Sequence, residues 1–130
     1  MKTYWDSSSL IQALHDKRLR ASIKPGTHGT RVHTFTEIFS TLTKGVNFRY
    51  APRDAANMIV DLARDLDAVE LTAEETVSAI NEAESLGVRG GRIHDLMHAT
   101  AARKYEAELL MTLDTTGFTG ITKGLKIQSS

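Results

Sequence analysis

The sequence predicts an α/β protein in which a parallel sheet is covered by helices on both faces. Three observations predict it. Short apolar runs of strand length alternate with segments whose apolar residues recur at helical spacing, from Thr3 to Ile127. The helical segments carry their own start and stop signals, such as "TAEE" and "ESLGV". With 130 residues, no internal repeat and no linker, residues 1–130 read as a single domain long enough to bury a core.

Each element has a local reason. Thr3–Trp5 reads as a short strand, and Ser8 to Leu14 as a helix with Leu10, Ile11 and Leu14 on one side. The polar, basic "HDKRLRASIKPGTHGT" is punctuated by Gly and Pro, which predicts a loop with a helical turn. Arg31–His33 is the expected second strand. "TFTEIFSTLTKG" carries a capping-box pattern, Thr34 with Glu37 three residues on, and Gly45 as its stop. Pro52 suits the first turn of a helix along which Ala56, Ile59, Ala63 and Leu66 recur. Ala68–Leu71 is a third strand, and Thr72 with Glu75 caps the next helix, which ends at Gly87. A further helix covers "GRIHDLMHATAARKY". Leu109–Thr112 is a strand that leads to Asp114, and Leu125–Ile127 is a last, short one.

Composition narrows the function. The 16 basic residues cancel the 16 acidic ones, so nucleic-acid binding needs a local basic patch rather than a global field. The absence of cysteine removes disulfides, thiol catalysis and cysteine-ligated zinc together. No apolar run approaches the roughly 20 residues of a membrane span, and the first residues lack a signal-peptide pattern. A cytoplasmic protein without a membrane partner is the expectation.

Four acids stand at predicted element boundaries: Asp6, Glu37, Asp95 and Asp114. Each has an ordinary structural role open to it. Asp6 can cap the helix that follows, and Glu37 can be the return arm of its capping box. Asp95 lies early in a helix, where the dipole favours negative charge, and Asp114 can make an Asx turn. In a parallel sheet, however, ligands bind beyond the carboxyl ends of the strands, where Asp6 and Asp114 both sit.

The contexts of these acids, "YWDSSSLI", "HTFTEIFSTL", "HDLMHATAA" and "LLMTLDTTGF", together resemble the PIN-domain family, which includes the VapC-type toxin ribonucleases. The resemblance spans nearly the whole chain. It implies a three-layer α/β/α sandwich and an endoribonuclease that hydrolyses RNA phosphodiester bonds with magnesium or manganese. It also implies the toxin role in a toxin–antitoxin pair, with a cognate antitoxin as partner. The four acids map onto the family's metal-binding and catalytic positions, with Ser8 and Thr112 as hydroxyls that orient carboxylates. One position departs: relatives often carry another Asp just before the Phe that matches Phe118, and here it is Gly117.

Chemistry agrees with such a cluster. Magnesium and manganese take oxygen ligands, and their waters supply a nucleophile. Two carboxylates about 5 Å apart repel by roughly 3 kcal/mol at an effective dielectric of about 20, so converging acids call for a cation. On this reading Asp6→Asn raises the melting temperature of the metal-free protein, Asp95→Asn abolishes cleavage, and His98→Ala leaves most of it. Arg31 and Arg92 are the expected contacts to the RNA backbone. Twofold dimers are common in the family, and apolar positions around Leu42 and Met58–Val60 are the expected homodimer surface.

Two other readings stay open. His94 and His98 in "HDLMH" are four apart on a helix, spacing that lets two imidazoles face one zinc ion, with His28 or His33 as a further ligand. The chain can also be a PIN-like interaction module with too incomplete an acid cluster for catalysis.

Overall fold

The computed structural model describes residues 1–130. Its strands are β1 (Thr3–Trp5), β2 (His28–Arg31), β3 (Asp67–Val69), β4 (Leu109–Thr112) and β5 (Lys126–Ser129). They form one all-parallel sheet in the order β3-β2-β1-β4-β5. Seven helices connect them: α1 (Ser7–Leu14), α2 (Lys17–Ala21), α3 (Val32–Thr43), α4 (Pro52–Ala63), α5 (Ala73–Asn81), α6 (Ala83–Leu86) and α7 (Arg92–Lys104). A single 3₁₀ turn spans Thr115–Phe118, between β4 and β5.

The helices divide between the two faces because strand side chains alternate. Trp5 and Met111 point into one core with Leu10 of α1, Ile38 and Leu42 of α3, and Ala55 and Leu62 of α4. Tyr4 and Leu110, one residue earlier on each strand, point into the other with Leu96, Ala99 and Ala102 of α7 and Phe118. Each large side chain so buried contributes roughly 1.5–3 kcal/mol. The result is the three-layer α/β/α sandwich expected from the sequence. No helix is long and apolar enough to cross a membrane.

Local signals hold where the chain is locally determined. Pro52 opens α4, Thr72 and Glu75 close a reciprocal capping box on α5, and Gly45 follows the last residue of α3 with φ 83°. Three expectations around β2 are corrected. The basic segment contains a full helix, α2, capped by Asp16, whose side chain accepts from the Leu19 N–H. The second strand lies at His28–Arg31 rather than Arg31–His33, and His33 is helical. The reason is packing: a Cβ on Gly29 would lie 2.9 Å from the Tyr105 ring, so the strand needs a glycine that local propensity disfavours. Helix α3 consequently starts at Val32, straight off β2, and Thr34 is no cap. Its buried hydroxyl instead accepts from Thr30, and no side chain caps α3. Leu42, expected at a homodimer surface, is wholly inside the chain, whereas Val60 is 54% exposed.

Strand order reverses direction at β1, whose neighbours β2 and β4 are reached by crossovers running opposite ways. That switch point opens a crevice beyond the carboxyl ends of β1 and β4. Asp6 follows β1 directly, and Asp114 lies two residues after β4.

Candidate active site

Asp6 is built into the crevice by its neighbours. It caps α1, with Oδ1 accepting from the Ser9 N–H at 2.9 Å and from the Ser8 hydroxyl at 2.8 Å. Its other oxygen accepts from the Thr112 hydroxyl at 2.6 Å. Only 6% of the residue is exposed, and these three donors satisfy carboxylate oxygens that burial takes away from water. The same hydroxyls join the two strand ends: the Leu113 N–H donates to Ser8, and the Asp114 N–H donates to Thr112 at 3.3 Å. Ser8 and Thr112 therefore orient one carboxylate and tie β1 to β4 in a single network.

Asp114 belongs to this edge but turns outward. It caps the 3₁₀ turn, accepting from the Thr116 N–H and hydroxyl at 3.0 and 2.6 Å. The hydroxyl bond first, then the backbone bond, hold its carboxyl below the ordinary carboxylate range.

Asp95, in the first turn of α7, is the opposite case. Burial pushes its carboxyl above the ordinary range, and the charges of Asp6 and Asp114 push it the same way against the pull of His98 and Arg92. It receives no compensating hydrogen bond. Three acids from the ends of β1, β4 and the start of α7 thus share one electrostatic neighbourhood. Gly117 makes room for it: a Cβ there would stand 2.6 Å from Asp95 Oδ2. The position where the resemblance led to an expected further acid is the space that Asp95 uses in this chain. Arg92 clamps the turn from the other side, donating to the carbonyls of Gly117 at 3.3 Å and Thr119 at 2.8 Å. Its guanidinium is thereby engaged by the turn.

Glu37 reaches the crevice from α3 and meets a different partner. Its Oε1 faces Nε2 of His98 at 3.3 Å. Burial raises its carboxyl, but the contact with His98 and the electrostatic influence of His98, His33 and Arg31 outweigh it, and the carboxyl lies below the ordinary range. Arg31, at the N-terminus of α3, is half-buried, and its N–H donates to the Tyr4 hydroxyl.

The two histidines of "HDLMH" part company. His94 is exposed, while His98 is 3% exposed and held by Tyr4 and Glu37. His28 lies against Trp5, whose indole N–H donates to it, and His33 is exposed. No zinc set forms from them. No group of three or more His or acidic side chains is arranged to hold an ion directly, and that includes the four acids. What the site offers a hard cation is an all-oxygen donor set and, in Asp95, a half-buried carboxylate that lacks a donor. His98 is the site residue to which the sequence motif gave another role, as a zinc ligand. Its signal was present: it follows Asp95 by three positions, on the apolar face of α7 with Leu96, Met97, Ala99, Ala101 and Ala102.

No protein-family model matches the sequence, and no curated protein does. Solved structures do match. A chain of VapBC2 from Rickettsia felis, bound to a DNA fragment from its promoter, superposes with a TM-score of 0.74 at 15% identity, over 100% of this chain and 99% of that one. A chain of DNA-bound VapBC from Salmonella typhimurium gives 0.74 at 20% identity, over 99% and 98%. VapC20 of Mycobacterium tuberculosis, a sarcin–ricin-loop-cleaving toxin, gives 0.66 at 21% identity, over 89% and 92%. Across its full length, the chain has the PIN-like α/β/α fold of the VapC structures.

Proposed function

We propose that the chain is a divalent-metal-dependent endoribonuclease, and the toxin of a toxin–antitoxin pair. The observation that carries this reading is Asp95: a half-buried carboxylate without a hydrogen-bond donor, raised first by burial and then by the charges of Asp6 and Asp114. Such a group is stabilised by a cation. Asp6, Asp95 and Asp114 would hold magnesium or manganese, directly or through water. Magnesium keeps several waters and takes only one or two carboxylates, so a ready-made cage of three is not required. A bound ion supplies an activated water and offsets charge on the phosphoryl oxygen.

The chain's own residues do the rest. Ser8 and Thr112 hold Asp6 in one orientation, as metal-binding carboxylates commonly require. Glu37 would ligate the ion or position the attacking water. Arg31 lends positive charge on the α3 side of the crevice, where an RNA backbone must approach four acids. The VapBC neighbours support an antitoxin partner, and a homodimer in the cytoplasm completes the reading.

The test is direct. Purified protein should cut RNA with manganese or magnesium, stop with EDTA, and lose at least a hundredfold in rate in Asp95→Asn. Manganese binding without any cleavage would move the chain to the interaction-module reading. Growth arrest on expression, relieved by the product of the neighbouring gene, checks the toxin role.

A further inference from the structure

We propose that His98 is a positioning residue for Glu37, held in its working orientation by Tyr4. The inference rests on the nuclease reading above and deepens it.

The Tyr4 hydroxyl is completely buried and accepts the Arg31 N–H at 3.2 Å. Its own proton is then free for Nδ1 of His98, 2.7 Å away. Donation of that proton makes Nδ1 the acceptor in the proposed arrangement and places the imidazole proton on Nε2. That nitrogen faces Glu37 Oε1 at 3.3 Å. Both atoms are sealed from solvent, and their 3.3 Å contact is too poorly aligned to count as a hydrogen bond, so neither has a partner elsewhere in the chain. A buried polar atom left unpaired costs about 1–3 kcal/mol, so each is the other's sole remedy. Edge-on packing against the Tyr4 ring, with centroids 5.7 Å apart, leaves the imidazole little freedom to swing.

The placement matters for the site. Glu37 comes from the helical layer on one face of the sheet, and His98 from the layer on the other. Without the imidazole, the Glu37 side chain would have no fixed point above the sheet. With it, Oε1 has a facing donor that a small rotation would align, and Oε2 stays unengaged by the chain. His98 stands one turn beyond Asp95 on α7, so the same helix carries one acid and orients another. The proposal runs against the expectation from the motifs that His98→Ala keeps most cleavage.

The experiment has three readings on the full chain. In metal-free protein, nitrogen-15 NMR of the imidazole should find a proton on Nε2 of His98; an unprotonated Nε2 overturns the proposal. Manganese alone, titrated by calorimetry, should bind His98→Leu at least about tenfold more weakly than the parent. His98→Gln, which carries an N–H of similar reach, should recover most of that loss. In RNA cleavage the His98→Leu defect should fall on kcat and leave KM unchanged. Tyr4→Phe, which retains the ring, should shift binding in the same direction should His98→Leu fail to fold. A folded His98→Leu that binds manganese as the parent does sinks the idea. If the parent itself neither binds manganese nor cuts RNA, the nuclease reading fails, and the NMR result alone decides the His98–Glu37 link.

Discussion

The β1–β4 edge and the α3–α7 edge of the crevice carry the same kind of residue under different conditions. On the first, Asp6 has three hydrogen-bond donors, and Asp114 has two from Thr116. On the second, Asp95 has no donor and Glu37 has one misaligned imidazole. The first edge is a finished piece of protein structure that happens to expose carboxylate oxygens. The second is incomplete without something positive. Burial alone does not make a carboxylate costly, since Asp6 is the most buried of the four; the supply of donors decides.

The comparison breaks most readily at Thr112, whose loss should have the largest effect. Thr112→Val keeps the shape but removes the donor to Asp6 Oδ2, leaving a buried carboxylate short of a partner. Stability should fall by about 2 kcal/mol in urea unfolding, the scale of a hydrogen bond to a charged group. An unchanged midpoint would mean that Asp6 is held by the α1 cap alone.

Opposite pH dependence on the α3–α7 edge sharpens the comparison, with effects of a few degrees in melting temperature. The Asp95 carboxyl titrates above its unfolded value, so its charge destabilises the metal-free fold, increasingly as pH rises from the ordinary carboxylate range through the raised one. Asp95→Asn should therefore melt higher than the parent near neutral pH and lose that advantage in acid. Glu37 has the contrary sign. Its folded value lies below its unfolded one, so it stabilises above the ordinary range, and that contribution is lost as pH falls through the depressed value. Glu37→Gln should melt lower at neutral pH and converge with the parent in acid. On the supply of donors, Asp95 is the better site for a stabilising neutralisation than Asp6, where charge repulsion alone suggested it. Manganese should raise the parent's melting temperature more than that of Asp95→Asn, because an ion that binds only the folded state stabilises by mass action.

The smallest change in stability belongs to Gly117→Ala. Its Cβ meets the far end of the Asp95 side chain, which can rotate away, so stability should change by less than about 1 kcal/mol. Manganese affinity should nonetheless fall several-fold, since the carboxylate has been displaced. Parental affinity in this variant would show that Asp95 binds nothing in the conformation described here.

By itself the sequence determined what acts over a few residues. The alternation that makes an α/β sandwich, Pro52 at the head of α4, the Thr72–Glu75 box and Gly45 after α3 all depend on neighbours within one helical turn. It also placed Asp6, Asp95 and Asp114 at element ends, since caps and strand ends are local features too, whereas Glu37 lies in the second turn of α3 because that helix starts at Val32. Only the tertiary structure decided the rest. Gly29 is a strand residue because Tyr105, far along the chain, packs on it. Leu42 is core rather than surface because the layer of α1 to α4 covers it. The histidine of a zinc-like motif serves a glutamate instead because a tyrosine 94 positions away takes its Nδ1. In a parallel sheet every strand pairing spans a crossover, so the groups that meet at its carboxyl edge are neighbours in space without any signature in sequence.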